Sequence, residues 1–143
     1  MAGDSTFDLE KFLPYRLNQA AEAASLAFRD IYRKRHGMTR PEWRVLANLG
    51  QFGSMTATDI SRRAKIHKTK VSRAVFSLEK RRWLRRETDG LDRRIEHLHL
   101  TREGRAVYDE LGRVALQEDR KLRGGLTRKE QERLLAMLDK LGF

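Results

Sequence analysis

Residues 56–101 read TATDISRRAKIHKTKVSRAVFSLEKRRWLRRETDGLDRRIEHLHLT, and this stretch decides the fold. Two short amphipathic segments come first, 56–65 and 67–82. In the second, Val71, Ala74, Val75 and Leu78 stand at i, i+3, i+4 and i+7, the apolar stripe of a helix lying on a core. Leu84–Thr88 and Ile95–Leu100 then flank the turn Asp89-Gly90-Leu91-Asp92-Arg93-Arg94, the pattern of a two-stranded hairpin. A helix pair followed by a hairpin with a cationic tip matches duplex DNA in its dimensions. One helix fits the major groove, and arginines on a narrow loop fit the minor groove.

In a helix-turn-helix the second helix offers its N-terminal residues to base edges. Away from the apolar stripe this segment carries His67, Lys68, Thr69, Lys70, Ser72, Arg73 and Ser77. Lys68 and Lys70 fall in the first turn, where the helix dipole favours acids. A neighbouring phosphate accounts for cations there, because a helix N-terminus itself attracts anions. Thr69 and Ser72 supply donors and acceptors, and Arg73 has the fork that reads guanine with two hydrogen bonds. In the turn, Asp92-Arg93-Arg94 sets a carboxylate beside two guanidinium groups, an arrangement that fixes an arginine's orientation. An ordinary ion pair at an exposed turn is the competing reading.

Charge distribution bears on that choice. The 143 residues carry a formal net charge of +11. Between Ser54 and Arg102, fourteen Lys and Arg stand against six Asp and Glu, so most of the excess lies in the helix-turn-helix and hairpin. A clustered cationic surface is the footprint of a polyanion partner. There are no cysteines, which excludes disulfides, thiolate metal sites and thiol redox sensing. No apolar run approaches the ~20 residues of a membrane span, and the N-terminus lacks a secretory pattern. A cytoplasmic protein is expected, with no membrane partner.

Helices dominate the rest. Leu17, Ala20, Ala21, Ala24, Phe28 and Ile31 follow helical spacing from a start near Leu13, with Pro14 in the first turn and Gly37 as the stop. Thr39-Arg40-Pro41-Glu42 reads as a capping box for a helix that buries Trp43, Leu46 and Leu49. Thr56-Ala57-Thr58-Asp59 reads as a weaker version, with the shorter acid, for a helix turning Ile60 and Ala64 inward. Thr101 caps a helix carrying Val107, Leu111, Val114 and Leu122, which Gly124-Gly125 ends. Thr127-Arg128-Lys129-Glu130 caps a last helix with Leu134, Leu138 and Leu141.

The chain resembles the MarR family of transcription factors (multiple-antibiotic-resistance regulators). The resemblance runs through Met38–Leu46, Thr58–Ala64, Lys68–Arg73 and Leu78-Glu79-Lys80. Its most specific piece is Asp92-Arg93-Arg94 followed by Leu98-His99-Leu100-Thr101-Arg102-Glu103-Gly104, and Leu126-Thr127 with Leu134 and Leu138 also fits. It implies a mainly α fold with a small β-wing, a winged helix-turn-helix plus a helical dimerisation lobe in one domain. The winged lobe would span about 39–101, and the dimerisation lobe about 8–37 with 102–143. It further implies a homodimer that binds double-stranded DNA in a sequence-specific way, most often as a repressor on a pseudo-palindromic operator. By this analogy residues 67–73 enter the major groove and Arg94 the minor groove, with Asp92 as its partner. A small aromatic or phenolic effector would bind between the lobes, where Tyr15, Arg16, Phe28, Trp43 and Arg44 fall on the lining helices. Aromatic residues at helical spacing are also ordinary core. One departure is Arg82, where the family usually has Gly before the aromatic at Trp83; the left-handed cap is then made at a strain cost, or the turn differs.

Other chemistries have less support. His97 and His99 share a strand face, two ligands where zinc takes three or four. No nucleophile–base pairing or phosphate-binding glycine loop is present, so no enzyme, metal or cofactor is expected. A sequence-tolerant architectural DNA-binding protein is the alternative, distinguished by weak base dependence and a steep salt dependence.

Overall fold

The computed structural model describes residues 6–142; Phe143, the last residue of the expected dimerisation segment, lies outside them. After a single 3-10 turn at Leu9–Lys11 come four helices, α1 (Leu13–His36), α2 (Arg40–Phe52), α3 (Ala57–Ala64) and α4 (Lys68–Lys80). Strands β1 (Leu84–Thr88) and β2 (Glu96–Leu100) follow, then α5 (Arg102–Arg123) and α6 (Arg128–Lys140). The strands form an antiparallel ribbon in the register Leu84↔Leu100 to Thr88↔Glu96. Met55 joins its edge by two backbone bonds to Leu98, at 3.3 and 2.8 Å. No helix among the described residues is long and apolar enough to cross a membrane.

The predicted caps form, with one exchange of roles. Gly37 ends α1 at φ +64°, a conformation that costs glycine nothing. The Thr39 hydroxyl accepts from the Glu42 amide at 3.3 Å, yet the Glu42 carboxylate does not return to the cap. It is buried and faces the Arg81 guanidinium at 3.5 Å. The full capping box forms at Thr56 and Asp59 instead, with bonds of 3.1 and 3.3 Å, so the shorter acid reaches where the longer one is diverted. Thr127 and Glu130 close a second box, and Thr101 caps α5 through the Gly104 amide.

The core gathers around α2–α4 and the ribbon. Leu46 and Leu49 of α2, Ile60 of α3, Leu78 of α4, Leu84 and Leu98 of the strands, and Leu111 of α5 are all fully buried. Burial of each such side chain stabilises by ~1.5–3 kcal/mol. Where β1 leaves α4, Arg82 adopts φ +64°. The strained residue is held on both sides. Its amide donates to Glu79 at 2.9 Å, the Trp83 amide donates to Leu78 at 3.0 Å, and the Thr101 hydroxyl donates to the Arg82 carbonyl at 2.6 Å. Gly104 then packs so close that a Cβ would overlap the Trp83 carbonyl oxygen.

Arg81 joins the end of α4 to the end of α1. Its guanidinium donates to the carbonyls of His36 and Gly37, the latter at 3.2 Å, and lies over the Trp83 ring. His36 also faces Glu110 of α5 at 2.8 Å, and this contact holds the Glu110 carboxyl below the usual range.

The two ends of the chain differ from the middle. Along the first half of α1 the side chains are mostly exposed, and none of α6 is buried. Of the apolar positions read on the last two helices, Leu122, Leu134 and Leu141 are exposed at 57, 43 and 51 %. Nothing among the described residues covers them.

Candidate nucleic-acid interface

Helix α4 builds the first part of the site. With about 100° of turn per residue, Val71, Ala74, Val75 and Leu78 point into the core, and Thr69, Ser72, Arg73, Phe76 and Lys80 occupy an arc of about 100° on the opposite side. All five of the latter are exposed. Lys68 and Lys70 are exposed on either flank. His67 is the N-cap, its Nδ1 accepting from the Thr69 amide at 3.2 Å, so one ring nitrogen is committed to the helix. Ser77 lies about 80° from Thr69 around the axis and is half-buried. The sequence reading thus placed Ser77 on this face and passed over Phe76. The wheel angle of Phe76 was available from the sequence, but an aromatic residue reads by default as core.

The wing is the second part. Both Asp89 oxygens are used: one accepts from the amides of Leu91 and Asp92, at 3.0 and 2.9 Å, and the other faces His97 Nε2 at 2.8 Å. His97, and next these amides, hold the Asp89 carboxyl at a pKa of about 2. Asp92 then accepts three bonds from Arg94, from the backbone amide at 3.0 Å and from Nε and Nη2 at 3.1 Å. The Arg94 side chain is 90 % exposed, a guanidinium locked in orientation while fully offered to solvent. Arg93 is exposed beside it. Further down the ribbon, Arg86 bridges Glu79 and Glu96, both at 3.1 Å, tying the wing to α4. His97 and His99 each face a carboxylate of the ribbon, Asp89 and Glu87.

Two clefts border α2. One, of about 760 Å³, opens between α2 and α5 and is lined by Trp43, Phe52, Tyr108, Asp109, Arg113 and Leu116 among others. Tyr108 sits so close to Gly50 that a Cβ there would overlap the ring. The other, of about 900 Å³, is cationic, with Arg29, Arg33, Arg40 and Arg44 beside Lys65 and Lys70. Arg40 is pinned by Glu22 and by Ser25, the latter at 3.0 Å.

The five expected effector residues do not meet in one place. Phe28, Tyr32 and Trp43 form an aromatic cluster, with centroids 4.9 Å apart for Phe28–Trp43 and 5.1 Å for Phe28–Tyr32. Trp43 also lines the apolar cleft, and Arg44 lines the cationic one. Tyr15 and Arg16 stand about 18 Å up α1 from Phe28. The residues that sequence reasoning missed, Tyr108 and Arg113, lie on α5, and only the tertiary crossing of α2 and α5 brings them to Trp43.

A cationic recognition helix followed by an arginine-tipped ribbon is the architecture of a winged-helix protein that binds duplex DNA. The MarR-family model matches residues 36–95. The homoprotocatechuate degradative operon repressor of Escherichia coli is 29 % identical over 127 residues, covering 89 % of this chain and 85 % of that protein. A MarR-family transcriptional regulator from Silicibacter pomeroyi superposes with a TM-score of 0.79 at 28 % identity, covering 94 % of this chain and 90 % of that one. NadR, in complex with 4-hydroxyphenylacetate, superposes with a TM-score of 0.80 at 26 % identity, covering 95 % and 96 %. Residues 36–95 thus match the MarR-family model, and over nearly its whole length the chain is similar in sequence and fold to DNA-binding transcriptional regulators of that type.

Proposed function

We propose that the protein is a homodimeric repressor that occupies a pseudo-palindromic operator, with α4 in the major groove and Arg94 in the adjoining minor groove. The observation that carries this reading is the Asp92–Arg94 pair, a side chain 90 % exposed and yet held by its carboxylate partner. Preorganisation of this kind lowers the ordering cost of binding, and a narrow A·T minor groove concentrates the negative potential that a guanidinium meets. His67, Lys68, Lys70 and Arg93 supply phosphate contacts around it, while Thr69, Ser72 and Arg73 face the bases. Ser77, on the flank, serves the backbone.

Arg94→Ala tests the wing. The expected result is weaker binding to every duplex containing an A·T-rich minor-groove segment, measured by fluorescence anisotropy against DNA flanking the gene. Wild-type affinity would sink the assignment. Arg73→Ala is expected to relax preference at one base position per half-site, whereas a uniform loss on all sequences would make Arg73 a phosphate contact. Equal, steeply salt-dependent binding to operator and random DNA would favour the architectural reading.

The dimer rests on the apolar ends. Residues 8–37 and 102–143 would form the dimerisation lobe around the winged lobe at 39–101, and a second copy is the cover that the exposed leucines of α6 and the start of α1 lack. We take the effector class from the relatives. One is the repressor of a homoprotocatechuate degradative operon, and another is solved in complex with 4-hydroxyphenylacetate. The α2–α5 cleft offers the same chemistry, with Trp43 and Tyr108 for a ring and Arg113 for a carboxylate. Tyr15 and Arg16 line neither this cleft nor the cationic one. Titration with 4-hydroxyphenylacetate should quench Trp43 fluorescence and release DNA, with both effects reduced in Arg113→Gln.

A further inference from the structure

We propose that Phe76 is a specificity-determining residue that reads thymine through its C5-methyl group. The proposal rests on α4 lying in the major groove, as above. Phe76 is 63 % exposed, on the side of α4 opposite the core stripe. It is no part of the buried cluster or its partly buried fringe. Among the described residues its ring pairs with no other aromatic ring and lies under no guanidinium. The ring is thus neither core nor part of an aromatic or cation–π pair among the described residues.

Its position is specific. Thr69, Ser72, Arg73 and Phe76 stand at i, i+3, i+4 and i+7 on one face. This is the spacing from which the recognition helix of homeodomains contacts bases. Three of the four residues are hydrogen-bonding groups and the fourth is a bare hydrocarbon ring. Phosphates and sugars offer such a ring little. In the major groove each base pair exposes a pattern of donors and acceptors, and only the A·T pair adds an apolar group, the thymine methyl. Phe76 carries no donor or acceptor with which to read guanine, adenine or cytosine, so a methyl contact is the discrimination it can supply. Arg73 and Phe76 then divide the work on one helix face, the first preferring guanine and the second thymine at a nearby step.

The experiment begins with selection of duplexes from a random pool by the full-length protein, followed by replacement of each thymine of the enriched sequence with deoxyuridine. That change removes the methyl and keeps the Watson–Crick edge. One thymine per half-site is expected to lose about fourfold in affinity on substitution, the factor supported by burial of one methyl group. Phe76→Asn should bind the thymine and deoxyuridine duplexes equally, and Phe76→Leu should keep a preference for thymine. Melting temperature checks that both variants are folded. The proposal is overturned if no thymine shows the effect in wild type, or if Phe76→Asn remains as sensitive as wild type. Loss of affinity in Phe76→Asn without any deoxyuridine effect overturns it too, placing the ring against sugar. Failure to enrich any sequence would overturn this proposal together with the sequence-specific reading, whereas enrichment without a methyl effect removes this proposal alone.

Discussion

Arg82 holds φ +64° with no glycine to absorb it, and its carbonyl is locked by the Thr101 hydroxyl. A left-handed residue with a Cβ costs ~1–2 kcal/mol, partly offset because glycine adds freedom to the unfolded chain. Arg82→Gly should therefore raise stability by roughly 0.5–1 kcal/mol in urea unfolding, with DNA affinity retained. Gly104→Ala should do the reverse. Its Cβ would meet the Trp83 carbonyl, which cannot swing aside as a side chain would, and a loss of about 2–3 kcal/mol is expected. The anomaly at Arg82 was visible through the family resemblance as a missing glycine, and the structure shows that strain is accepted rather than the turn changed. Other residue-level facts were hidden for a physical reason. Glu42 fits a local cap, but Arg81, 39 positions on, competes for its carboxylate; local pattern carries no record of such long-range competition.

At the scale of elements, the wing shows how a seven-residue turn is kept in one shape. Asp89 gathers His97 and two amides at its base, and Asp92 holds Arg94 at the tip. The Asp89 pKa is depressed from an ordinary 3.8 to about 2, so its stabilising contribution is complete above pH 3.8 and is lost as pH falls through about 2. In His97→Ala the largest cause of that depression is gone, and the carboxyl titration followed by NMR should move up toward 3.8. An unchanged midpoint would mean that the two amides suffice. The helices, the ribbon and the caps at Thr56, Thr101 and Thr127 were readable in advance, because capping and alternation are local chemistry. The surroundings of His97 were not readable, since strand pairing sets its neighbour across a turn.

For the whole molecule, the division between a well-buried middle and apolar ends sets the expected behaviour in solution. If a second copy covers those ends, the melting temperature should rise with protein concentration, because dissociation accompanies unfolding. A midpoint independent of concentration over a hundredfold range would contradict the proposed dimer, as would a stable, DNA-binding monomer after deletion of residues 128–143. The salt dependence of DNA binding belongs to this scale as well. With Lys68 on a phosphate as proposed, Lys68→Ala should reduce the slope of log K against log salt by about one unit per protomer bound. The sequence showed apolar stripes on α5 and α6. It could not show that the described part of the chain leaves much of them exposed, because periodicity marks an apolar face and says nothing of what covers it.

Arg81 fastens the C-terminal end of α4 to the carbonyls that close α1, while the side chains of its other end, from His67 to Lys70, are exposed. Mechanically this is a lever with its fulcrum far from its working tip. A helix of thirteen residues spans about 20 Å, so a tilt of about 5° at the fulcrum carries the tip through nearly 2 Å. That displacement is enough to unmake a hydrogen bond to a base edge. In the proposed complex, the joint would set the gain between a small rotation of the first helix and the register of the fourth on DNA. A looser side chain at position 81 would lower that gain without touching either surface.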